Sequence, residues 1–280
     1  MREPAPIRCG PAVLQFGRRT FVMGIINMAP DSFAGDGLGG DAAAAEVRGT
    51  KFREDGADLL DVGGRSTRPG APPVEAGEEI RRVIPAVRRL VRLGLPVSVD
   101  TSSAAVAAAA LDEGAALVND VTALRGDPAM GPLVARAGVP VVLMDQDDRS
   151  AAADVVAATV AFLRERIAAA RALGIDEGQI LVDPGYGFGL TVAQNMQILR
   201  RLRDLTALGR PILIGTSRKG SIGKVLNLPV HERVEGTAAT VAVAIMNGAD
   251  VIRVHDVRAM VRVARMADAI ARGVPDEGVR

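Results

Sequence analysis

Several polar residues of this chain stand at or just after the ends of short apolar runs. Asp100 closes PVSVD, Asn119 closes ALVN, Asp183 closes QILVD, and Lys219 follows PILIG within TSRK. An Asp or Lys delivered there by apolar chain is costly to bury unless something pairs with it. A flat heterocycle with amino and amide edges is such a partner. A carboxylate can accept two N–H bonds from an aminopyrimidine edge, and an ammonium can donate to a carbonyl or ring nitrogen. Lysine is scarce in this arginine-rich chain, occurring only as Lys51, Lys219 and Lys224, so Lys219 draws notice. Arg253 and His255 share a strand face one residue apart. With Arg68 in an earlier loop, they are donors suited to phosphate oxygens. Each of these residues alone has an ordinary reading as a cap, a loop tie or an ion pair; the set is harder to account for that way.

Bringing them together requires a scaffold that ends many strands at one mouth. Eight runs read as strands: 21–26, 58–63, 96–100, 116–119, 139–144, 179–183, 211–215 and 250–254. Most are continuously apolar, the pattern of a parallel sheet covered on both faces. Ala-rich stretches of helical period, studded with Arg and Glu, separate them. Gly56, Gly94, Gly114, Gly138, Gly174, Gly209 and Gly248 each precede a strand, where a left-handed residue ends a helix. Thr101–Ser103 suits a helix N-cap. The pattern predicts an α/β fold, a (β/α)8 TIM barrel forming a single domain over 1–280, with a lead-in at 1–20 and the barrel at about 21–272. Such barrels carry their active sites on the C-terminal rim of the strands. An open doubly wound sheet is the competing architecture, but its glycine-rich dinucleotide fingerprint is missing after the first strand. Two early loops, MAPDSFAGDGLGG and GGRSTRPGAPP, have the length and Gly/Pro content of lids that close over substrate.

Composition narrows the chemistry. The 280 residues are 48% hydrophobic, enough for a core without disulfides or metal, and carry a net charge of +1 with both signs interspersed. That balance argues against a nucleic-acid partner. The lone Cys9 fits a reducing cytoplasm, and neither a signal peptide nor a membrane span is read. Only two histidines occur, and there is no G-x-S-x-G elbow or GK[ST] phosphate loop. Chemistry at the rim would rest on positioning and electrostatics rather than on an activated protein nucleophile.

The segments MGIINMAPDSFAGDG, GGRSTRPG, SVDT, NDV, VDPGYGFG, GTSRKG and RVHDV, in this order from about residue 21 to 258, resemble dihydropteroate synthase along nearly the whole barrel. The resemblance implies that Asp100, Asn119, Asp183 and Lys219 hold a pterin ring. It further implies that Asn27 places Mg2+ on the diphosphate and that Arg68, Arg253 and His255 bind its oxygens. Phe33, Thr67, Pro69, Ser217 and Arg218 would frame p-aminobenzoate. Asp31, Asp100 and Lys219 would be catalytic, acting on the pterin cation left when diphosphate departs. It also implies a homodimer. Arg253→Ala is expected to harm use of the diphosphate substrate and to spare a pterin that lacks it. Four positions depart from the family's usual residues: Arg65 stands for Glu, Asp145 for His, Leu190 for Lys and Gly220 for Ser. A corrinoid methyltransferase of the same barrel group, or a non-catalytic paralogue, would also need the pterin pocket. The STRPG loop, SRK and the Arg253/His255 pair count against the methyltransferase.

Overall fold

The computed structural model describes residues 4–30, 35–65 and 73–274. Within the lead-in lies a small antiparallel hairpin that the sequence pattern does not predict, β1 (Ile7–Cys9) and β2 (Ala12–Leu14). Three residues per strand are too few to show a period. All eight expected strands follow: β3 (Phe21–Asn27), β4 (Leu59–Gly63), β5 (Val97–Asp100), β6 (Leu117–Asp120), β7 (Val141–Met144), β8 (Ile180–Asp183), β9 (Leu213–Ile214) and β10 (Val251–Val254). They pair in parallel in the order β8-β7-β6-β5-β4-β3-β10-β9, and a parallel bridge from Val182 to Ile212 closes the ring. Between and after them run α1 (Ala42–Glu54), α2 (Ala76–Leu90), α3 (Ala104–Asp112), α4 (Met130–Ala137), α5 (Val155–Ala172), α6 (Val192–Arg200), α7 (Gly220–Leu226), α8 (Val234–Met246) and α9 (Val257–Arg272). This is the expected TIM barrel.

Side-chain alternation along the strands makes two cores. Outward residues such as Val22, Ile26, Leu60, Val62, Val118, Val182 and Ile252 pack against the helices. Inward residues at the N-terminal end, among them Phe21, Met23, Leu59, Leu117, Leu181 and Val251, pack with Ile7, Cys9, Leu14 and Phe16. The hairpin therefore plugs the bottom of the barrel, each large apolar side chain contributing about 1.5–3 kcal/mol by burial. Two residues further along the same inward faces, the apolar side chains give way to Asp61, Asn119, Asp183 and Arg253. One strand thus supplies both the floor and the chemistry above it.

The punctuation works locally as expected. All seven helix-ending glycines adopt left-handed φ between 63° and 98°. The N-terminus of α3 differs: Ser103 makes no side-chain cap. Asp127 on the next loop accepts from the Ala104 N–H at 2.9 Å instead, and its negative charge suits a helix N-terminus.

Candidate active site

A cavity of about 210 Å³ opens at the C-terminal rim of the strands and is lined by Asp100, Asn119, Asp183, Lys219, Arg253 and His255, with Ile25, Val121, Met144 and Phe188 as its apolar walls. These six and Ser217, which also lines the cavity, are residues the sequence singles out, and they reach one chamber from separate strand ends and the loop after β9. Asp61 on β4 joins them without being expected. It is fully buried, and it accepts from Arg253 Nε at 2.6 Å and from Asn119 Nδ2 at 3.2 Å. Its only signal in the sequence is the inward position two residues after Leu59 in DLLDVG, inside the strand rather than at its end.

Arg253 is the hub. Its Nη2 donates to Asp100 Oδ2 at 2.7 Å while Nε holds Asp61. Burial opposes its charge, but the two carboxylates outweigh that and raise its pKa. Burial pushes the Asp100 carboxyl up to about 7, against the pull of Arg253. Burial likewise raises Asp183 to about 6, with Lys219 pulling it down. Lys219 is lowered to about 8, chiefly by desolvation. Its ammonium donates to the Tyr186 carbonyl and lies 4.3 Å from the Phe188 ring centre. A side chain at Gly187 would collide with Lys219 Cδ, so this glycine admits the lysine. Asp183 Oδ1 accepts from Gly185 N at 2.7 Å, which aims the carboxylate. Among the described residues, Asp61 Oδ1 and Asp100 Oδ1 are buried without a hydrogen-bond partner. Of the two, Asp100 lines the cavity, where a ligand can supply the missing donor.

At the other end of the chamber, Ser217 Oγ lies 2.9 Å from His255 Nδ1 and accepts from the His255 backbone N–H at 3.2 Å. Burial lowers His255 to about 4, so the imidazole is neutral near pH 7. Arg218 does not line the cavity; its guanidinium forms a two-point pair with Asp256 at 2.5 and 2.9 Å, and its φ is 55°. Asn27 ends β3, with Oδ1 accepting from Ala29 N at 3.0 Å, and is not part of the cavity lining either. Asp31, Phe33, Thr67, Arg68 and Pro69 lie outside the described residues.

Of the four departures, only Gly220 lines this chamber. Arg65 Nη2 donates to Ser102 Oγ at 2.5 Å, and its charge favours the ionised forms of Glu79, Asp100 and Asp120. Asp145 is buried and ion-paired with Arg149. Leu190 packs against the outer core, and Gly220 lines the cavity with open space where a Cβ would stand.

A parallel barrel whose rim gathers buried acceptors beside one lysine and one arginine defines a pterin-binding barrel enzyme, and the family model for pterin binding enzyme matches residues 23–255. Dihydropteroate synthase of Bacillus subtilis is 42% identical over 94% of this chain and 93% of its own. Among solved structures, Xanthomonas albilineans dihydropteroate synthase with 4-aminobenzoic acid shares 45% identity at a TM-score of 0.90, covering 98% of this chain and 100% of that one. The same enzyme in complex with 7,8-dihydropteroate aligns at 43% identity with a TM-score of 0.87, over 97% and 100% of the two chains. This chain belongs to the dihydropteroate synthase family, transferases of folate biosynthesis.

Proposed function

We propose that this chain acts as a single domain that condenses 6-hydroxymethyl-7,8-dihydropterin diphosphate with p-aminobenzoate, giving 7,8-dihydropteroate and diphosphate. The observation that carries the reading is the set of buried acceptors Asp100, Asn119 and Asp183 facing Lys219 and Arg253 across one chamber, with Asp61 holding Arg253 and Asn119 from behind. Solved relatives hold 4-aminobenzoic acid and 7,8-dihydropteroate.

In this reading Asp183 accepts two N–H bonds from the amino-pyrimidine edge, and Lys219 donates to a ring acceptor. Asn119, one of whose two Nδ2 hydrogens goes to Asp61, presents its carbonyl oxygen to a ring N–H. Asp100, held by Arg253, faces the side where positive charge develops as the carbon–oxygen bond to diphosphate breaks. The bonding pair leaves with the diphosphate. The pterin cation is stabilised by the carboxylates in a site that excludes much of the water. The aromatic amine then forms the new carbon–nitrogen bond and loses a proton to solvent. Arg253, His255 and Arg68 receive the diphosphate; Ser217 orients His255 by their 2.9 Å contact. The carboxylate of p-aminobenzoate rests near the start of α7, beside Gly220 and Ser217; Arg218, Thr67, Pro69 and Phe33 are assigned to the same substrate by the resemblance, Arg218 with its guanidinium engaged by Asp256. Asp31 adds negative charge over the cation.

Asn27 is compatible with Mg2+, which takes oxygen ligands and is usually held by one or two protein groups plus substrate phosphates and water. Its Oδ1 has one acceptor direction left beside the bond from Ala29 N–H. When bound there, Mg2+ would supply positive charge to the departing diphosphate.

The chain works as a cytoplasmic homodimer in this reading. Its support is the apolar exposure of Val243, Met246, Met266 and Ile270 on α8 and α9. No helix among the described residues is long and apolar enough to cross a membrane. The test is diphosphate release and dihydropteroate formation by the purified protein, with each substrate and Mg2+ omitted in turn. Product formation that depends on all three supports the synthase. Pterin binding without turnover would favour a non-catalytic paralogue.

A further inference from the structure

Behind the pterin wall, the loop after β7 carries a compact charge network. Arg149 Nε and Nη2 donate to the two oxygens of Asp145 at 3.1 and 3.2 Å, and Nη2 also reaches Asp147 at 3.3 Å. The Asp145 side chain is 1% exposed. Its backbone N–H donates to the carbonyl of Asp183 at 3.1 Å, because Met144 and Asp183 stand in register at the ends of β7 and β8. Gly185 packs so closely that an added Cβ would collide with the Asp145 carbonyl oxygen. Arg149 is fixed from outside as well. Its guanidinium carbon sits 5.2 Å from the centre of the Phe162 ring, its backbone N–H donates to Gly189 O at 3.1 Å, and its carbonyl accepts from Gln194 Nε2 at 2.7 Å. A buried carboxylate thus stands on the residue whose backbone is bonded to the carbonyl of the aspartate assigned to the pterin, with one arginine to neutralise it.

We propose that Arg149 is a positioning residue for the pterin-binding carboxylate Asp183, acting through Asp145, whose buried charge it neutralises. The inference rests on the pterin assignment of Proposed function and goes beyond it by giving the Asp145 departure a job. Charges from three directions act on Asp183: Lys219 from the loop after β9, Arg253 from β10 and Asp145 from the end of β7. The first two favour its ionised form, and Asp145 opposes it. Asp145 in turn is bonded by Arg149 and by Asp147 N–H. Without Arg149, the buried negative charge of Asp145 would stand uncompensated on the residue bonded to the Asp183 carbonyl, and it would favour protonation of Asp183 at higher pH.

The sign of the effect follows. Asp183 must be ionised to accept two N–H bonds, so pterin affinity falls as pH drops through its value of about 6. Loss of Arg149 moves that acid limb upward. Calorimetric affinity for a pterin lacking diphosphate, measured from pH 6 to 8.5, reads it. Arg149→Ala is expected to match wild type at pH 8.5, to bind about threefold more weakly near pH 6.5 and about fivefold more weakly at pH 6, the mark of an acid limb moved up by about one pH unit. Arg149→Lys restores most of the affinity. The double variant D145N/R149Q returns the limb to near pH 6, because the competing charge is gone. The inference is overturned if Arg149→Ala tracks wild type at every pH, if it loses affinity evenly at all pH as a purely structural defect would, or if the double variant stays with the single. Should Arg149→Ala not fold, Arg149→Lys and D145N/R149Q carry the comparison, and a limb above pH 7 in either overturns the inference. Wild-type protein with no pterin affinity at any pH is a separate result; it would remove the functional reading and this inference with it.

Discussion

Replacing Arg253 with alanine tests the architecture of the chamber most directly. The guanidinium bridges Asp61 at 2.6 Å and Asp100 at 2.7 Å, and those side chains are 0% and 8% exposed. Removing one member of a buried ion pair destabilises by about 3–5 kcal/mol, because the remaining charge is left without compensation. Asp100 has an outlet: it is already raised to about 7 with Arg253 present and would rise further without it. A folded pKa above the unfolded value of about 3.9 means that the folded state binds the extra proton. The stability associated with that proton is therefore present at low pH and lost as pH rises toward the folded pKa. The variant should lose about 3–5 kcal/mol at pH 8. At pH 5.5 its loss should be smaller, by about 1.4 kcal/mol for every tenfold gain in the proton affinity of Asp100. Urea unfolding at the two pH values measures both. The same substitution should weaken a pterin lacking diphosphate at pH 7 by about fivefold, since a carboxylate already raised to about 7 that binds its proton tenfold more tightly is ionised about fivefold less often at that pH. This differs from the expectation from sequence that such a ligand would be spared, and the calorimetric comparison decides between the two. Arg253→Lys should recover only part of the loss, as a point charge cannot bridge both carboxylates. A variant within about 1 kcal/mol of wild type at pH 8, or equally destabilised at both pH values, would refute the hub assignment.

Asp183→Asn should keep the wild-type melting temperature within a few degrees yet bind pterin on the order of a hundredfold more weakly, since charged hydrogen bonds contribute about 1.5–3 kcal/mol each; near-normal affinity in calorimetry would remove Asp183 from the pocket. Gly185→Ala faces both a φ of +70° and a clash between the new methyl carbon and the Asp145 carbonyl. It should lose more than the roughly 1–2 kcal/mol of left-handed strain alone, and a smaller loss in urea would show that the loop yields freely. His255 is held neutral, with a folded value of about 4 against about 6.5 unfolded. Its contribution is complete above pH 6.5 and is lost as pH falls toward 4, by about 2–3 kcal/mol. In His255→Gln that part of the acid destabilisation between pH 7 and 4.5 should vanish, and an unchanged difference between the two pH values would contradict the assignment.

By itself, the sequence determined the barrel and most of its rim. Apolar runs such as VPVVLM and QILVD must be covered on both faces wherever they fold, and the seven glycines before the strands have to turn left-handed for the chain to return. Strand ends are equally legible, because a polar residue closing an apolar run has only the rim to occupy. For that reason Asp100, Asn119, Asp183, Lys219, Arg253 and His255 can be picked out together and do share a chamber. Pairing between side chains is not legible, because it depends on distances across the barrel between residues far apart in the chain. Asp61 and Arg253 are separated by 192 positions yet share a hydrogen bond of 2.6 Å, and only ring closure brings β4 and β10 to either side of β3. The same holds for Arg218, which looks free in TSRKG but is captured by Asp256. It holds too for Asp145, which reads as a lost imidazole but is paired four residues on. The hairpin plug is hidden for a related reason: Ile7, Cys9, Leu14 and Phe16 acquire meaning only against the barrel floor they cover. Residue type and local period are properties of a segment, whereas compensation of buried charge belongs to the closed barrel as a whole.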